Sequence, residues 1–266
     1  MVIRRVGRVC QLHIYILGEI PYPCPVMQPH MLSIVLPVFN EEDNLEPLLA
    51  EIRQAAPGFG RPWEVVMVDD ASTDGSLGVI QRLASAQPEV RYLAFAENRG
   101  QSAAFCAGFD AAVGEIIVTL DADGQNDPAD IPKLLQLFDA GADMAIGWRL
   151  KRRDSFMKRI ASRIGNGVRN RLTRETVRDT GCSLKIMRAE MARRLPRFKG
   201  MHRFLPTLMK MQGARVEEAP VNHRPRLKGV SKYGTWDRAV AGLYDLFGVR
   251  WLQKRSFLYS IREKSD

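Results

Sequence analysis

The fold is decided by a stretch of chain that begins with Leu32-Ser-Ile-Val-Leu-Pro-Val38 and repeats one pattern as far as Leu120. Apolar runs with the composition of buried strands alternate with segments whose apolar side chains recur at helical spacing. Strands are predicted at residues 32–38, 64–69, 90–95, 115–120 and 142–146, and helices at residues 41–55, 74–86, 101–113 and from Pro128 onward. Asn40 is predicted to cap the first helix. Strands that are apolar on both faces and alternate with helices indicate an α/β protein with a mostly parallel sheet covered on both faces.

Composition and charge narrow the class of protein further. The chain has 266 residues, 45% of them hydrophobic, which is typical of a folded domain and excludes a disordered or fibrous protein. No run approaches the roughly 20 apolar residues of a membrane-spanning helix. Lys and Arg total 39 against 30 Asp and Glu, a formal net charge of +9. This balance favours an anionic partner, such as a phosphorylated ligand, a nucleic acid or an anionic membrane surface.

The sequence divides into three parts. Residues 1–30 form a poorly specified N-terminal extension, residues 31–234 a single domain, and residues 235–266 a C-terminal amphipathic helix with a short tail. Within the domain, residues 149–174 carry ten basic side chains and one acidic side chain. This basic segment predicts a helix that faces a phosphate group or an anionic membrane, with a solvated helical face as the alternative.

Polar motifs follow the apolar strands at the points where the strands end. They are Pro37-Val-Phe-Asn-Glu41, Asp69-Asp-Ala-Ser-Thr-Asp74, Asn98-Arg-Gly100 and Asp121-Ala-Asp123. The carboxyl ends of parallel strands meet at one edge of a sheet, and that edge is where such folds bind ligands. We therefore expect these motifs to form one site.

The pair Asp121 and Asp123 is the clearest candidate for a metal site. Two carboxylates on a tight turn suit Mg²⁺ or Mn²⁺, which also keep waters and share phosphate oxygens of a substrate. The alternative is a turn whose carboxylates only cap the helix that opens near Pro128. The chain has neither a phosphate-binding glycine loop nor a Ser-His-Asp arrangement that would indicate another mechanism.

Together with Leu120-Asp-Ala-Asp-Gly-Gln-Asn-Asp-Pro128 and Gly229-Val-Ser-Lys-Tyr-Gly234, these motifs resemble the inverting glycosyltransferase family 2. Within it, the closer resemblance is to dolichyl- or undecaprenyl-phosphate mannosyl- and glucosyltransferases. The resemblance implies the GT-A fold, a nucleotide-diphosphate sugar donor of the GDP-mannose or UDP-glucose type, Mg²⁺ or Mn²⁺, and a polyprenyl-phosphate acceptor. It also implies a peripheral enzyme at the cytoplasmic, inner face of the cell membrane.

The resemblance implies roles for individual residues. The catalytic set is Asp123, Arg226 and Lys232, with Asp121 and Asp123 as the metal ligands and with Arg226 and Lys232 on the phosphates. The nucleotide-sugar site is formed by Pro37, Phe39, Glu41, Val68, Asp70, Asp121, Ala122, Gln125 and Arg149. The acceptor phosphate is met by Lys158, Arg159, Ser162 and Arg163. The sequence departs from the family pattern at Phe39, where Tyr is common, at Ala71, where Gly is common, and at Asn126-Asp127, where His-x is common.

Other functions stay open at this point. A related transferase could use a hydroxyl acceptor on a polysaccharide or a soluble molecule, and Asp127 or Asp179 would then be the candidate base. A phosphohydrolase of the haloacid-dehalogenase type is a weaker alternative, because those enzymes usually have Thr or Val where Gln125 stands. Nucleic-acid binding has only the charge in its favour, since no RNA-binding or zinc motif is present. The sequence does not indicate the oligomeric state.

Overall fold

The computed structural model describes residues 27–149, 176–224 and 235–257, except for the side chains of residues 29 and 235–241. The strands are β1 (Gln28–Val38), β2 (Trp63–Asp69), β3 (Val90–Ala94), β4 (Gly114–Thr119), β5 (Met144–Arg149), β6 (Lys185–Arg188) and β7 (Val216–Val221). The helices are α1 (Glu42–Ala55), α2 (Ser76–Ala86), α3 (Gln101–Ala111), α4 (Ile131–Asp139), α5 (Ala189–Arg193), α6 (Leu205–Met211) and α7 (Thr235–Arg255). Short 3₁₀ turns occupy Ala56–Phe59, Pro128–Asp130 and Met201–Arg203.

The strands form one seven-stranded sheet in the order β3-β2-β1-β4-β6-β5-β7. The first four pair in parallel, which confirms the mostly parallel sheet. Strand β6 lies antiparallel between β4 and β5, and β7 runs parallel to β5. We call β3-β2-β1-β4 the parallel part of the sheet and β6-β5-β7 the mixed part.

Helices cover both faces of the sheet, as the apolar strands predict. One core cluster joins the sheet to α1, α2 and α4 through side chains such as Leu45, Ile80 and Leu134. The other joins it to α3, α5, α6 and α7 through side chains such as Phe109 and Leu208. Residues of β1 divide between the two faces, with Ile34 and Leu36 in the first cluster and Val35 in the second. A strand with apolar side chains on both faces is buried on both, which explains why its sequence lacks alternation.

The structure differs from the sequence prediction at some element boundaries. Strand β1 starts at Gln28, whose N–H donates to the Val113 carbonyl oxygen over 2.7 Å, so part of the strand precedes Leu32. The predicted cap at Asn40 is wrong, because helix α1 begins at Glu42 and has no side-chain cap. Strand β6, strand β7 and the helices between them were not predicted, because their apolar residues follow no regular period.

The direction of the strands brings distant parts of the chain to one edge of the sheet. The carboxyl ends of β1, β2, β3, β4, β5 and β7 and the start of the antiparallel β6 all lie there. Asp69 pairs with Ala94, Thr119 with Lys185 and Arg149 with Val221. We call this edge the site edge. Every polar motif singled out in the sequence up to Asp123, together with Arg149, follows or ends a strand at the site edge.

Candidate active site

The first loops of the site edge are tied together by Asn40. Its side-chain Oδ1 accepts a hydrogen bond from the Thr73 N–H over 2.7 Å, and its own N–H donates to Ser72 Oγ over 3.0 Å. Asn40 and Ala71 both have left-handed backbone conformations, with φ of 53° and 56°. Asn tolerates this conformation better than Ala, so the Gly that is common at position 71 in the family has a physical reason.

Asp70 fixes the start of helix α3. Its Oδ1 accepts from the Arg99 N–H over 2.7 Å and its Oδ2 from the Gly100 N–H over 2.8 Å. Burial raises the pKa of the Asp70 carboxyl, although these two main-chain hydrogen bonds act in the opposite direction. The Asn98 side chain donates to the Asp70 carbonyl oxygen over 3.0 Å. The ends of β2 and β3 are thus held in one rigid arrangement.

The acidic turn, residues 121–126, follows β4 directly. Asp123 is buried, and its Oδ1 accepts from the Gln125 N–H over 3.1 Å, while Gly124 takes a left-handed φ of 70°. The Gln101 side chain, at the first residue of α3, donates to Asp121 Oδ1 over 2.8 Å. The turn is therefore clamped against the helix that Asp70 holds in place.

The environment of Asp121 favours a positive ligand. Burial and the neighbouring charge of Asp123 raise the pKa of Asp121 to about 6, while Lys185, a hydrogen bond from Ser183, and Arg149 oppose this rise. Two carboxylates that destabilise each other's charge gain from a cation placed between them. The acidic turn therefore has the chemistry of a divalent-metal site.

Two protein carboxylates are enough to hold Mg²⁺ or Mn²⁺ when waters and a substrate complete the set of ligands. Across residues 27–149, 176–224 and 235–257, no group of three or more His, Cys, Asp or Glu side chains is placed to hold a metal ion. Magnesium is usually bound by one or two carboxylates together with waters and substrate phosphates. Asp121 and Asp123 would hold the ion in this way, with the remaining ligands supplied by a diphosphate.

Residues that the sequence analysis missed support the acidic turn from below. Ser183 Oγ accepts from the Asn126 side chain over 2.6 Å and from the Asp121 N–H over 3.3 Å. Lys185 is almost fully buried and donates to the Cys182 carbonyl oxygen, and burial lowers the pKa of its ammonium group. Their only sequence signal is that Asp179-Thr-Gly-Cys-Ser183 is a polar run ahead of an apolar one.

Arg149 lies at the end of β5 and pairs with Asp179. Its Nε and Nη2 donate to the two carboxylate oxygens over 2.6 and 2.9 Å, and its N–H also donates to Oδ2 over 3.3 Å. Both side chains are largely buried, with 18% and 9% of their surface exposed. The pair is close enough to Asp121 for the Arg149 charge to oppose the rise of the Asp121 pKa. The assignment of Arg149 to a substrate phosphate stays a prediction.

The other predicted nucleotide residues lie around the ends of β1 and β2. Pro37 and Val68 are paired in the sheet, and Val68 has no exposed surface, so its predicted place in the nucleotide site stays a prediction. Phe39 is partly buried, and Glu41 Oε2 accepts from the Asn44 side chain over 2.7 Å. Ala122, within the acidic turn, is buried. The structure therefore groups the first-strand and second-strand residues at the site edge, with the acidic turn beyond β1.

Six predicted residues lie outside the described part of the chain. The acceptor-phosphate candidates Lys158, Arg159, Ser162 and Arg163 belong to the basic segment, of which only Arg149 is described. The phosphate candidates Arg226 and Lys232 follow Arg224, the last described residue before α7. Their roles stay predictions.

Comparison with protein families identifies the family of this chain. The model of glycosyl transferase family 2 matches residues 33–195, which contain the second half of β1, strands β2 to β6 and the whole acidic turn. The chain belongs to glycosyltransferase family 2. This confirms the family resemblance and speaks against the phosphohydrolase alternative. The roles of Asp121 and Asp123 stay predictions.

Curated relatives cover most of the chain. It is 37% identical over 228 residues to dodecaprenyl-phosphate galacturonate synthase of Rhizobium johnstonii, covering 84% of this chain and 67% of the relative. It is 38% identical over 217 residues to undecaprenyl-phosphate 4-deoxy-4-formamido-L-arabinose transferase of Edwardsiella ictaluri, covering 81% and 66%. The chain spans about two thirds of the length of these relatives.

Solved structures agree on the fold. Glucosyl-3-phosphoglycerate synthase of Mycobacterium tuberculosis with Mn²⁺, UDP and phosphoglyceric acid aligns with a TM-score of 0.63 at 20% identity, covering 82% of this chain and 78% of that one. A mannosyltransferase of Pyrobaculum calidifontis with GDP-mannose and Mn²⁺ aligns with a TM-score of 0.58 at 23% identity, covering 86% and 67%. The predicted GT-A fold is confirmed.

Proposed function

We propose that this glycosyltransferase moves a sugar from a nucleotide-diphosphate donor to the phosphate of a polyprenyl phosphate, with inversion at the sugar's anomeric carbon. The observation that carries the proposal is the acidic turn: Asp121 and Asp123 lie at the site edge beside the residues predicted to bind the nucleotide. The names of the relatives from Rhizobium johnstonii and Edwardsiella ictaluri support a polyprenyl-phosphate acceptor.

The donor would lie across the ends of β1, β2 and β4. Pro37, Phe39 and Glu41 would line the nucleoside end, beside the loop that Asp70 fixes through its hydrogen bonds with Arg99 and Gly100. Asp121 and Asp123 face the diphosphate, where a bound divalent cation would neutralise the leaving group. The Gln101 hydrogen bond keeps the Asp121 carboxylate in place, so little rearrangement is needed when the donor binds.

A phosphate acceptor fits the site better than a hydroxyl acceptor. A phosphate monoester is anionic near neutral pH and attacks without a strong base, whereas a hydroxyl needs one. Asp127 and Asp179 are the predicted bases for a hydroxyl, and both are engaged by arginines: Asp127 by Arg224 over 2.8 Å and Asp179 by Arg149 over 2.6 Å. A carboxylate oxygen already bound to an arginine is poorly placed to accept a proton from an acceptor hydroxyl.

The test is a transfer assay with a panel of donors. Undecaprenyl phosphate, Mg²⁺ or Mn²⁺ and GDP-mannose, UDP-glucose, or the nucleotide derivatives of galacturonic acid and 4-deoxy-4-formamido-L-arabinose are incubated with the protein. Mass spectrometry then detects a lipid-linked sugar. We expect one donor to give a product with undecaprenyl phosphate and none with undecaprenol, which has a hydroxyl in place of the phosphate. A product with undecaprenol or a soluble sugar, and none with the phosphate, would overturn the proposal.

The proposal includes contact with an anionic membrane through helix α7. Leu246 and Val249 anchor this helix to the core, while Tyr244, Phe247 and Trp251 are 81%, 60% and 61% exposed. These three and the half-exposed Leu243 share one side of the helix at spacings of three and four residues. No helix among the described residues is long and apolar enough to cross a membrane.

An exposed apolar side next to basic residues is typical of helices that lie in the membrane interface. Lys254 and Arg255, in the last turn of α7, would meet anionic headgroups. The predicted location, the inner face of the cell membrane, stays part of this proposal.

Membrane contact is tested by sedimentation with phosphatidylglycerol vesicles. We expect the variant with both Phe247→Ser and Trp251→Ser to bind at least tenfold more weakly, because each lost aromatic side chain removes about 1.5–3 kcal/mol of apolar burial. Tyr92→Ser, which removes an exposed aromatic side chain from the distant strand β3, is the matched control. Equal binding of the double variant and the control would refute the role of α7.

A further inference from the structure

The segment that leads out of β7 crosses the acidic turn. The Arg224 N–H donates to the Gln125 carbonyl oxygen over 2.8 Å, and His223 forms an isolated antiparallel bridge with Asn126. The Asn222 N–H donates to Asp130 Oδ2 over 2.7 Å. Three consecutive residues of this segment therefore follow the acidic turn and the 3₁₀ turn after it. The main chain of the two segments is joined immediately after Asp123.

The Arg224 side chain extends this junction to helix α1. Its Nη1 lies 2.8 Å from both carboxylate oxygens of Glu51, and its Nη2 lies 2.8 Å from Asp127 Oδ2. Asp127 Oδ1 accepts in turn from the Ala129 N–H over 3.0 Å. One guanidinium thus links α1, the residues after the acidic turn and the end of β7.

This arrangement needs an arginine. The planar guanidinium presents several donors in fixed directions, so it contacts two carboxylates at once, whereas a lysine has one compact ammonium group. Without the guanidinium, Glu51 and Asp127 would be neighbouring like charges, and their repulsion would push the residues after Asp123 away from α1. The side chains are about one third exposed, except for Asp127, which is 16% exposed, so solvent weakens but does not remove this effect.

The nucleoside end of the site does not depend on Arg224. Its loops are fixed by separate hydrogen bonds, from Thr73 to Asn40 and from Arg99 and Gly100 to Asp70. A disturbance at Arg224 therefore reaches the part of the site that faces the diphosphate and leaves the nucleoside part intact.

We propose that Arg224 is a positioning residue for the metal-diphosphate part of the donor site, because it holds the chain after Asp123 against helix α1. The proposal rests on the function proposed above. It assigns a role in donor binding to a residue whose side chain is held by Glu51 and Asp127.

The test compares two ligands on the same protein. Calorimetry first measures the binding of UDP with Mn²⁺ and of GDP with Mn²⁺. It then measures, without metal, the monophosphate of the nucleoside whose diphosphate binds. For the diphosphate that the wild type binds, we expect Arg224→Gln to weaken binding about tenfold, as loss of groups that orient metal ligands does. Binding of the monophosphate should stay within about twofold. Arg224→Lys should lie between the wild type and Arg224→Gln.

Arg82→Gln is the matched control, because Arg82 pairs with Glu46 of the same helix α1 over 2.6 Å on an exposed surface. Arg82→Gln should leave the binding of both ligands unchanged. If Arg224→Gln does not fold, Glu51→Gln is used instead, because it removes the charge of one of the two carboxylates that hold Arg224. It should weaken binding of the diphosphate about twofold. Equal loss for both ligands would make Arg224 merely structural, and no loss would also overturn the proposal. A wild type that binds neither diphosphate with Mn²⁺ would instead contradict the proposed function.

Discussion

The parallel part of the sheet and the mixed part contribute to the site in different ways. In the parallel part, side chains are fixed by main-chain hydrogen bonds, as Asp70 is by Arg99 and Gly100. In the mixed part and the segments attached to it, the groups are paired charges, such as Arg149 with Asp179. The first arrangement sets a shape and the second sets a local potential. A site for a charged donor needs both, and this fold takes them from different halves of one sheet.

The acidic turn lies at the boundary between the two parts. It follows β4, the last parallel strand, and rests on Ser183, just ahead of the antiparallel strand β6. Asp121 receives a hydrogen bond from Gln101 of the parallel side and is influenced by Lys185 and Arg149 of the mixed side. Substitutions in either part should therefore affect Asp121. Those in the parallel part should change its position, and those in the mixed part should change its electrostatic environment.

We expect the largest effect on transfer activity at the acidic turn, which lies at the boundary between the two parts of the sheet. Asp123→Asn keeps the size of the side chain but removes one of the two charges that would hold the metal ion. Transfer should fall about a thousandfold, the upper range for loss of one electrostatic group at a reacting centre. Initial rates of lipid-linked sugar formation measure this. Asp139→Asn, at the exposed end of α4, is the control and should keep full activity. Activity of Asp123→Asn within tenfold of the control would exclude the metal role.

The mixed part is tested by breaking its buried ion pair. Arg149→Gln removes the guanidinium that is predicted to meet a donor phosphate, so turnover should fall about a hundredfold. Mn²⁺ affinity should not fall, because the loss of a nearby positive charge favours a bound cation. Asp179→Asn leaves the arginine in place and should lose less activity. Circular dichroism must show both variants folded, because a broken buried pair is also destabilising. If Asp179→Asn is the more damaging change, Asp179 is acting as a base and the hydroxyl-acceptor alternative gains support.

The raised pKa of Asp121 also predicts a pH dependence. The pKa of Asp121 is raised to about 6, so below that pH a proton competes with the metal. Mn²⁺ affinity, followed by calorimetry between pH 5 and pH 7.5, should be flat at the upper end and fall about tenfold per pH unit below 6. Ser183→Ala removes a hydrogen bond that lowers this pKa, so the break, the pH below which Mn²⁺ affinity starts to fall, should move to higher pH. A break that stays in place would contradict the role of Ser183.

The smallest effect is expected in the parallel part, where only shape is changed. Ala71 has a left-handed backbone, which costs about 1–2 kcal/mol for a residue with a Cβ atom. Ala71→Gly removes that cost but adds about 0.4–1 kcal/mol of unfolded-chain entropy. The net gain in unfolding free energy should be about 0.5 kcal/mol, measured by urea denaturation, with unchanged pH dependence of metal binding. A loss of stability would show that the loop needs the alanine methyl group.

How well the sequence predicted the fold depends on the same division. The strands and helices of the parallel part follow one another with regular periods, and all of them were predicted to within a few residues. Strand β6 has four residues and contains the buried Lys185, which a sequence pattern assigns to the surface. Its place between β4 and β5 comes from pairing with strands far away in the chain, and no local pattern contains that information.

The candidate site was also predictable only where its residues belong to a local sequence pattern. Asp121 and Asp123 stand out because they follow an apolar strand and belong to a family motif. Ser183 and Arg224 were missed because their roles depend on contacts with residues 57 and 173 positions away. The error at Asn40 has a local cause: a residue in the left-handed region that accepts from Thr73 has its oxygen turned away from the helix. The sequence does not indicate that a residue typical of helix caps forms a hydrogen bond with a distant loop instead.

Strands β5 and β6 are antiparallel neighbours, and this has a consequence for insertions and deletions in the chain between them. The chain leaves β5 at Arg149 and enters β6 at Lys185, two positions on the same rim of the sheet. The chain between these two residues therefore begins and ends at one place on the sheet, and its last part contributes Asp179 and Ser183 to the site. An insertion or deletion confined to residues 150–175 would leave the register of every strand unchanged. It would also leave the groups that support the acidic turn in the chain.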